Sequence, residues 1–541
     1  MMGDYSRFRT RNGPIDLTRL KYLKHIIKYK VIVAAAVYLF LCCIFFPSLR
    51  YMMGPDGLNY IAMAELYAAG HWAAAINAYW SPAFSILLAP FVAIGFDGIM
   101  AIKLLNILIG FAVLFALVWL CNTLHLKSSV LAILLISAVP FIASSAFLNA
   151  TPDLLVVLVL TTYLTCLLRV QKFNQIKMGL LVGIIGFVGY LSKYYLFPFF
   201  LLHFTGTLVL RFITNSNNGL RFSGYLSGIL VFIFMSSFWI GAIGSKYGVY
   251  NYSLTGPTVR AMFAPSRGTA NVNIPVDLPL DRLVEPGVKS LEIPDPSLLA
   301  LPGGVLYETS TWSPMDGERE FNHQIALINN AFQYTSYWLV RFSPLLIPTL
   351  FLLLILPAFR LTNEVRFVAG LMAWTSLALL SGYMTLSVEG RFILFLWVVG
   401  STGGVWLFRI VPNFPYKRIV ICIFLSSFTV MPSRWLIVNM GSEGNSGKFA
   451  TTLKAQIDKG QRIASNGNFF KTAYIGQILK AKYLGHLKNI PPDITLSQLR
   501  ASGVHYFFVW HETGSDLDWS DLGNVITQSK TLGLKIYKVK S

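Results

Sequence analysis

Few residues in this chain could do chemistry, and they lie beside long apolar runs. Asp56 sits in Gly54-Pro55-Asp56-Gly57, where proline fixes φ and the glycines permit a tight backbone. A helix-like run follows, with Tyr60, Ala64, Tyr67 and Ala68 on one stripe and Asn59 and Glu65 off it. A carboxylate held in a stiff turn at a membrane surface suits a general base; it equally suits a helix cap. Asn149-Ala150-Thr151-Pro152-Asp153 opens another apolar run, where an aspartate also complements the helix dipole. Tyr190-Leu191-Ser192-Lys193-Tyr194-Tyr195 separates two runs with almost no loop, and Lys193 could bind an anion or snorkel to headgroups. Glu389-Gly390-Arg391-Phe392 opens a late run, as a functional pair or a local ion pair. Lys103 lies about one turn inside an early run. Ionisable groups at membrane depth are expensive and are functional candidates by default.

Composition decides what must hold these residues. Of 541 residues, 55% are hydrophobic, 14% aromatic and only 13% charged. That is the composition of a polytopic α-helical membrane protein, and it excludes a soluble regulatory protein. The net charge of +20 comes from basic residues spread between apolar segments, as topology signals are, rather than clustered with stacking aromatics for nucleic acid. Cys42, Cys43, Cys121, Cys166 and Cys422 all fall in apolar runs, with neither metal-site spacing nor a disulfide framework.

The apolar pattern predicts about 11 spans: 31–46, 99–120, 130–147, 154–168, 178–190, 196–210, 224–243, 345–359, 367–383, 392–408 and 419–431. Segment 83–95, at about 13 residues and interrupted by Pro90, is short of the roughly 20 a span needs and reads as interfacial or re-entrant. A basic tail over 1–30 then lies in the cytoplasm, with no cleavage site after it. Lys127, Arg169, Arg211, Arg360 and Arg409 join it there. Asp56, Asp153, Lys193, Glu389 and Arg391 all fall outside, with external loops over 49–98 and 246–337. The latter carries turn signals with little periodicity until its end, and reads as an acceptor-side lid. From about Pro432 the composition becomes that of a soluble α/β module over 432–541. Strands are expected at 462–465, 504–510 and 534–540, and helices over FFKTAYIGQILKAKY and ITLSQLRASG. It lacks a Gly-rich phosphate loop and reads as a cap or acceptor-recognition module.

The order of these motifs is more specific than any one of them. PDGLNYIAMAELYAAG, SPAFSILLAPFVAIG, Lys103, TPDLLVVLVLTTYLTCLL, GYLSKYYLFPFF and EGRFILFLW follow one another across most of 31–410. The series resembles the GT-C glycosyltransferases, especially family 39: protein O-mannosyltransferases and lipid A aminoarabinose transferases. The resemblance implies a sugar donor on polyprenyl phosphate and transfer on the periplasmic or lumenal face. It matches Asp56 and Asp153 to the family's two external aspartates, Lys193 to its donor-phosphate lysine, and Glu389 and Arg391 to a late acidic-x-basic motif. Two departures stand out: Gly57 follows Asp56 where many members have glutamate, and no Asp-x-Asp pair is present. A divalent metal would need more oxygen ligands than Asp56 offers, even if Glu65 and His71 helped, so no metal site is assigned.

A polyprenyl-phosphate sugar already carries its leaving group, so an enzyme must deprotonate the acceptor hydroxyl and offset charge on the departing phosphate. The expected division of labour has Asp56 as base in an inverting displacement, with Asp153 orienting it or the acceptor. Lys193, Arg391 and Lys103 would face phosphate, with Glu389, Tyr60 and Tyr194 completing the site. The acceptor is a lipid, glycan or protein. A bacterial inner membrane is the expected setting. A lipid-linked glycan polymerase or ligase is the neighbouring alternative; a lipid or solute transporter would place its charges near mid-membrane and in matching broken helices.

Overall fold

The computed structural model describes residues 17–169, 175–216, 221–265, 283–285, 288–289, 312–412, 414–440, 444–486, 492–511 and 519–540. The chain opens with α1 (Leu17–Leu49) and short helices α2 (Pro55–Ala68), α3 (Trp72–Ala75) and α4 (Ala83–Ala93). Long helices follow: α5 (Gly98–Thr123), α6 (Ser128–Leu148), α7 (Asp153–Arg169), α8 (Gln175–Ser192), α9 (Leu196–Ile213) and α10 (Phe222–Tyr247). After α11 (Thr255–Met262) and the small hairpin β1 (Leu283–Glu285) and β2 (Val288–Lys289) come α12 (Glu318–Phe342) and α13 (Leu346–Ile355). The bundle ends with α14 (Asn363–Tyr383), α15 (Phe395–Ile410), α16 (Lys417–Ser427) and α17 (Val430–Asn439).

Among the described residues, 9 helices are long and apolar enough to cross a membrane, or up to 10 if the bent pair Glu318–Phe342 and Leu346–Ala358 is one span. Helix α7, with 17 residues, lies at the lower limit of span length and matches the run expected over 154–168; the run expected over 345–359 forms only the second half of the bent pair. Helix α4 has 11 residues, too few to cross, as its length foretold, although Pro90 lies inside it rather than ending it.

Three boundaries in the membrane body differ most from the sequence expectation. Helix α1 begins at Leu17, so the second half of the basic lead is helical; residues 1–16 lie outside the described ones. The second difference is α12, which occupies ground read as loop. Its buried stripe is Gln324, Leu327, Ala331, Thr335, Leu339 and Phe342, at helical spacing, but polar residues interleave it and mute the pattern. The chain turns by 108° after it, at Ser343-Pro344, because a proline excludes the α conformation from the residue before it. The rest of the expected lid, 266–282 and 290–311, lies outside the described residues. Third, the last membrane segment continues to Asn439 rather than ending near 431.

Close packing holds the spans. A Cβ on Gly179 or Gly183 of α8 would run into the carbonyls of Gly224 and Gly228 of α10, so glycine lets these two backbones touch. Tyr163 of α7, His203 of α9 and Thr375 of α14 form a buried chain, with 2.9 Å from each neighbour to a ring nitrogen of His203.

The C-terminal module begins with α18 (Gly444–Leu453) and runs β3 (Arg462–Ser465), α19 (Phe469–Leu479), β4 (Lys482–His486), α20 (Pro492–Ala501), β5 (Tyr506–Trp510), β6 (Gly523–Ser529) and β7 (Leu534–Val539). The sheet order is β4-β3-β5-β7-β6, with the first three strands parallel and the rest antiparallel. Strand β5 is buried throughout, as its unbroken apolar run requires.

Candidate active site

Helix α2 places Asp56. Pro55 stands at its start, where a missing N–H costs nothing, and Gly54 precedes it without a side-chain cap. Asp56 is thus in the first helical turn rather than in a free-standing turn, near the positive end of the helix dipole. Gly57 lies against the loop before α7: a Cβ there would come 2.9 Å from the Ala150 methyl and 2.8 Å from Met53 Sδ. Close contact with that loop explains glycine where the resembling family often has glutamate.

The structure brings together residues far apart in sequence. Asp56 Oδ2 accepts from Arg391 Nη1 at 2.5 Å, and Arg391 Nε donates to Glu389 Oε2 at 2.6 Å. Arg391 lies on a 3₁₀ turn, Gly390–Ile393, whose glycine packs on Trp338 of α12. Lys193, between α8 and α9, donates to Asp153 Oδ1 at 2.5 Å, and the Thr151 hydroxyl donates to Asp153 Oδ2 at 2.5 Å. Phe392 joins the two pairs, its ring centre 4.0 Å from Lys193 Nζ and 5.2 Å from Arg391 Cζ. Tyr383 stacks on Phe392 at 5.0 Å.

Electrostatics follow from burial. Burial lowers the Lys193 ammonium below the ordinary lysine range, while the Asp153 charge beside it opposes that shift. Burial raises the Tyr60 phenol, and the Asp56 and Asp153 charges raise it further. Tyr60, one turn beyond Asp56, shares a hydrogen bond with Ser81, whose hydroxyl donates to the Ser192 carbonyl at 2.7 Å. Tyr79 is pushed up in the same way, by burial and then by Asp56. It was not singled out from the sequence, because an aromatic in this loop has no pattern to distinguish it.

Two expected site residues are held by other contacts. Lys103 is wholly buried and its ammonium donates to the Phe147 carbonyl at 2.5 Å, a tie between α5 and α6 rather than an open phosphate-facing position. The Tyr194 hydroxyl donates to the Asn77 carbonyl at 2.5 Å and accepts from Trp239 Nε1 at 2.9 Å, which gives it a loop-anchoring position. Nor does Glu65 assist Asp56: it accepts from Gln477 at 2.9 Å. Among the described residues no group of three His, Cys, Asp or Glu could hold a metal.

No family model and no curated protein sequence matches the chain. Solved structures do. ArnT from Cupriavidus metallidurans in the apo state has a TM-score of 0.57 at 12% identity, covering 94% of this chain and 97% of that one. ArnT bound to undecaprenyl phosphate gives 0.55 at 12% identity with the same coverage of 94% and 97%. The oligosaccharyltransferase AglB from Archaeoglobus fulgidus, in complex with an inhibitory peptide and a dolichol-phosphate, gives 0.55 at 11% identity, covering 96% of this chain and 75% of that one. These are GT-C glycosyltransferases, and at such identities they establish architecture. This chain has the GT-C fold, a polytopic helical membrane body with a small C-terminal sheet domain.

Proposed function

We propose that the chain is a membrane glycosyltransferase that moves a hexosyl or pentosyl unit from a polyprenyl-phosphate donor to an acceptor hydroxyl on a lipid, glycan or protein. The observation that carries this reading is the Asp56–Arg391 pair beside the Lys193–Asp153 pair, set in a GT-C fold. One carboxylate able to take a proton and two cations able to hold a phosphate are what the reaction needs. In this reading Asp56 takes the acceptor O–H proton as the acceptor oxygen attacks the anomeric carbon. The bond from that carbon to the phosphate oxygen breaks, and polyprenyl phosphate leaves with the electron pair and its added charge. The attack comes from the face opposite the leaving group, so configuration inverts. Arg391 offers its remaining N–H groups to the phosphate while Nη1 keeps Asp56 aimed. Lys193 adds a point charge, and Asp153 holds Lys193 in place. The site faces the periplasm of a bacterial inner membrane, with the N-terminus in the cytoplasm, as the distribution of basic loops favours.

That AglB is an oligosaccharyltransferase favours one second reading, transfer of a whole glycan rather than one sugar. The test is a panel of radiolabelled polyprenyl-phosphate monosaccharides and polyprenyl-linked oligosaccharides offered to the detergent-purified protein. Release of polyprenyl phosphate with sugar transfer from a monosaccharide donor supports the proposal. Turnover confined to oligosaccharide donors supports the second reading, and turnover of neither sinks both.

A further inference from the structure

The C-terminal module touches the segment that carries Asp56, and it does so on both sides of that residue. The Tyr474 hydroxyl of α19 donates to the Tyr51 carbonyl at 2.6 Å. Gln477, one turn further along α19, donates to Glu65 of α2 at 2.9 Å. Gly447 of α18 lies in the same contact: a Cβ there would stand 2.9 Å from Tyr51 Cβ and 3.0 Å from the Tyr474 hydroxyl. One helix of the soluble module therefore grips the backbone just before Asp56 and the last full turn of the helix just after it.

Between those grips the Met52-Met53-Gly54 connection is neither helix nor strand; the Met52 N–H donates to the Leu49 carbonyl at 3.0 Å, and Met52 and Met53 pack on the core. Gly54 has open space around its Cα, and no side chain caps α2. Within α2, Asp56 is positioned by its contact with Arg391, itself divided with Glu389. A carboxylate pulled toward an arginine that must also serve a phosphate needs a second constraint, or it follows the arginine when substrate arrives. We propose that α19 supplies that constraint: Tyr474 and Gln477 are positioning residues that fix Tyr51 and Glu65, and through them the attack geometry at Asp56. The role rests on the reading of Asp56 as base, and it gives the C-terminal module a task in the chemical step.

The test uses the full-length protein and two readouts. In the Tyr474→Phe/Gln477→Ala protein, hydrogen exchange of the 54–60 amides is expected to quicken while strands 462–465 and 506–510 keep wild-type protection. In sugar transfer, kcat should fall about tenfold with donor KM within about twofold of wild type. Exchanging the partners, Glu65→Gln with Gln477→Glu, rebuilds the hydrogen bond and should restore both protection and kcat; if the strands also loosen in the first variant, this exchanged protein decides. Wild-type exchange at 54–60 in the first variant, or failure of the exchanged pair to recover protection with its sheet intact, overturns the proposal. Because hydrogen exchange needs no turnover, a wild-type protein that transfers no sugar would defeat the functional reading while leaving this mechanical coupling measurable.

Discussion

The two ion pairs of the site use the same charges and are built in opposite ways. In the Asp153–Lys193 pair the carboxylate side chain is 3% exposed, accepts from Thr151 and opens a membrane helix. In the Asp56–Arg391 pair both side chains are 24% exposed, and the arginine is divided with Glu389, itself 51% exposed. A pair whose carboxylate is buried and fully partnered is costly to separate even with Lys193 19% exposed, whereas a pair partly exposed on both sides trades partners more readily with water or substrate. In the proposed mechanism this difference separates scaffold from reagent: Asp153 holds Lys193, and Asp56 is the proposed base.

Substitutions can break that contrast. After the base itself, the largest effect is expected at the shared arginine. Arg391→Ala should lower kcat/KM for transfer by about 10²–10³, the usual loss when a charge-stabilising donor is removed. Arg391→Lys should recover little, since a single ammonium cannot grip two carboxylates as a fork does; full recovery would show that only charge matters there. Next comes the buried pair. Lys193→Ala strands a buried carboxylate and should cost roughly 3–5 kcal/mol of stability, read as an earlier thermal transition. The Lys193→Met/Asp153→Leu protein should regain that stability without regaining transfer. If it also transfers sugar, Lys193 has no part in holding phosphate.

The pH response sharpens the same distinction. Burial lowers the Lys193 ammonium, so its charge is lost at lower pH than an ordinary lysine's as pH rises. Donor kcat/KM should therefore show an alkaline decline earlier than a free lysine would give. Lys193→Arg should move that decline upward or remove it. The smallest effect is expected at Gly57: adding a methyl against Ala150 should cost about 1–3 kcal/mol. Its signature is a modest loss of kcat, measured beside a thermal scan.

Much of this architecture was legible in the sequence. Long apolar runs announce themselves, and α4 was recognisable as non-spanning by length alone. Helix α12 was not, because its Glu, Arg, Asn and Gln residues dilute the apolar stripe that it buries. Edge strand β6 escaped for a related reason, since few apolar residues are needed there, while β4, the other edge, begins at Lys482 inside the run read as a helix, which ends at Leu479. At the site, the sequence offered the residue types and their shared side, but not their pairing. Asp56 and Arg391 are 335 residues apart, and only the folded bundle decides that Arg391 reaches Asp56 while Lys193 reaches Asp153. The positions of Lys103 and Tyr194 were illegible for the same reason, since a polar side chain beside a span looks alike whether it faces a ligand or a neighbouring carbonyl.

The account turns on Asp56 as the proton acceptor. Its most direct test is single-turnover transfer of labelled sugar from a polyprenyl-phosphate donor by Asp56→Asn beside wild type, with thermal transitions recorded for both. The expected result is an unchanged transition and a rate lower by about 10²–10⁴, the range that general-base catalysis supplies. A folded Asp56→Asn protein that transfers sugar at the wild-type rate would contradict the account.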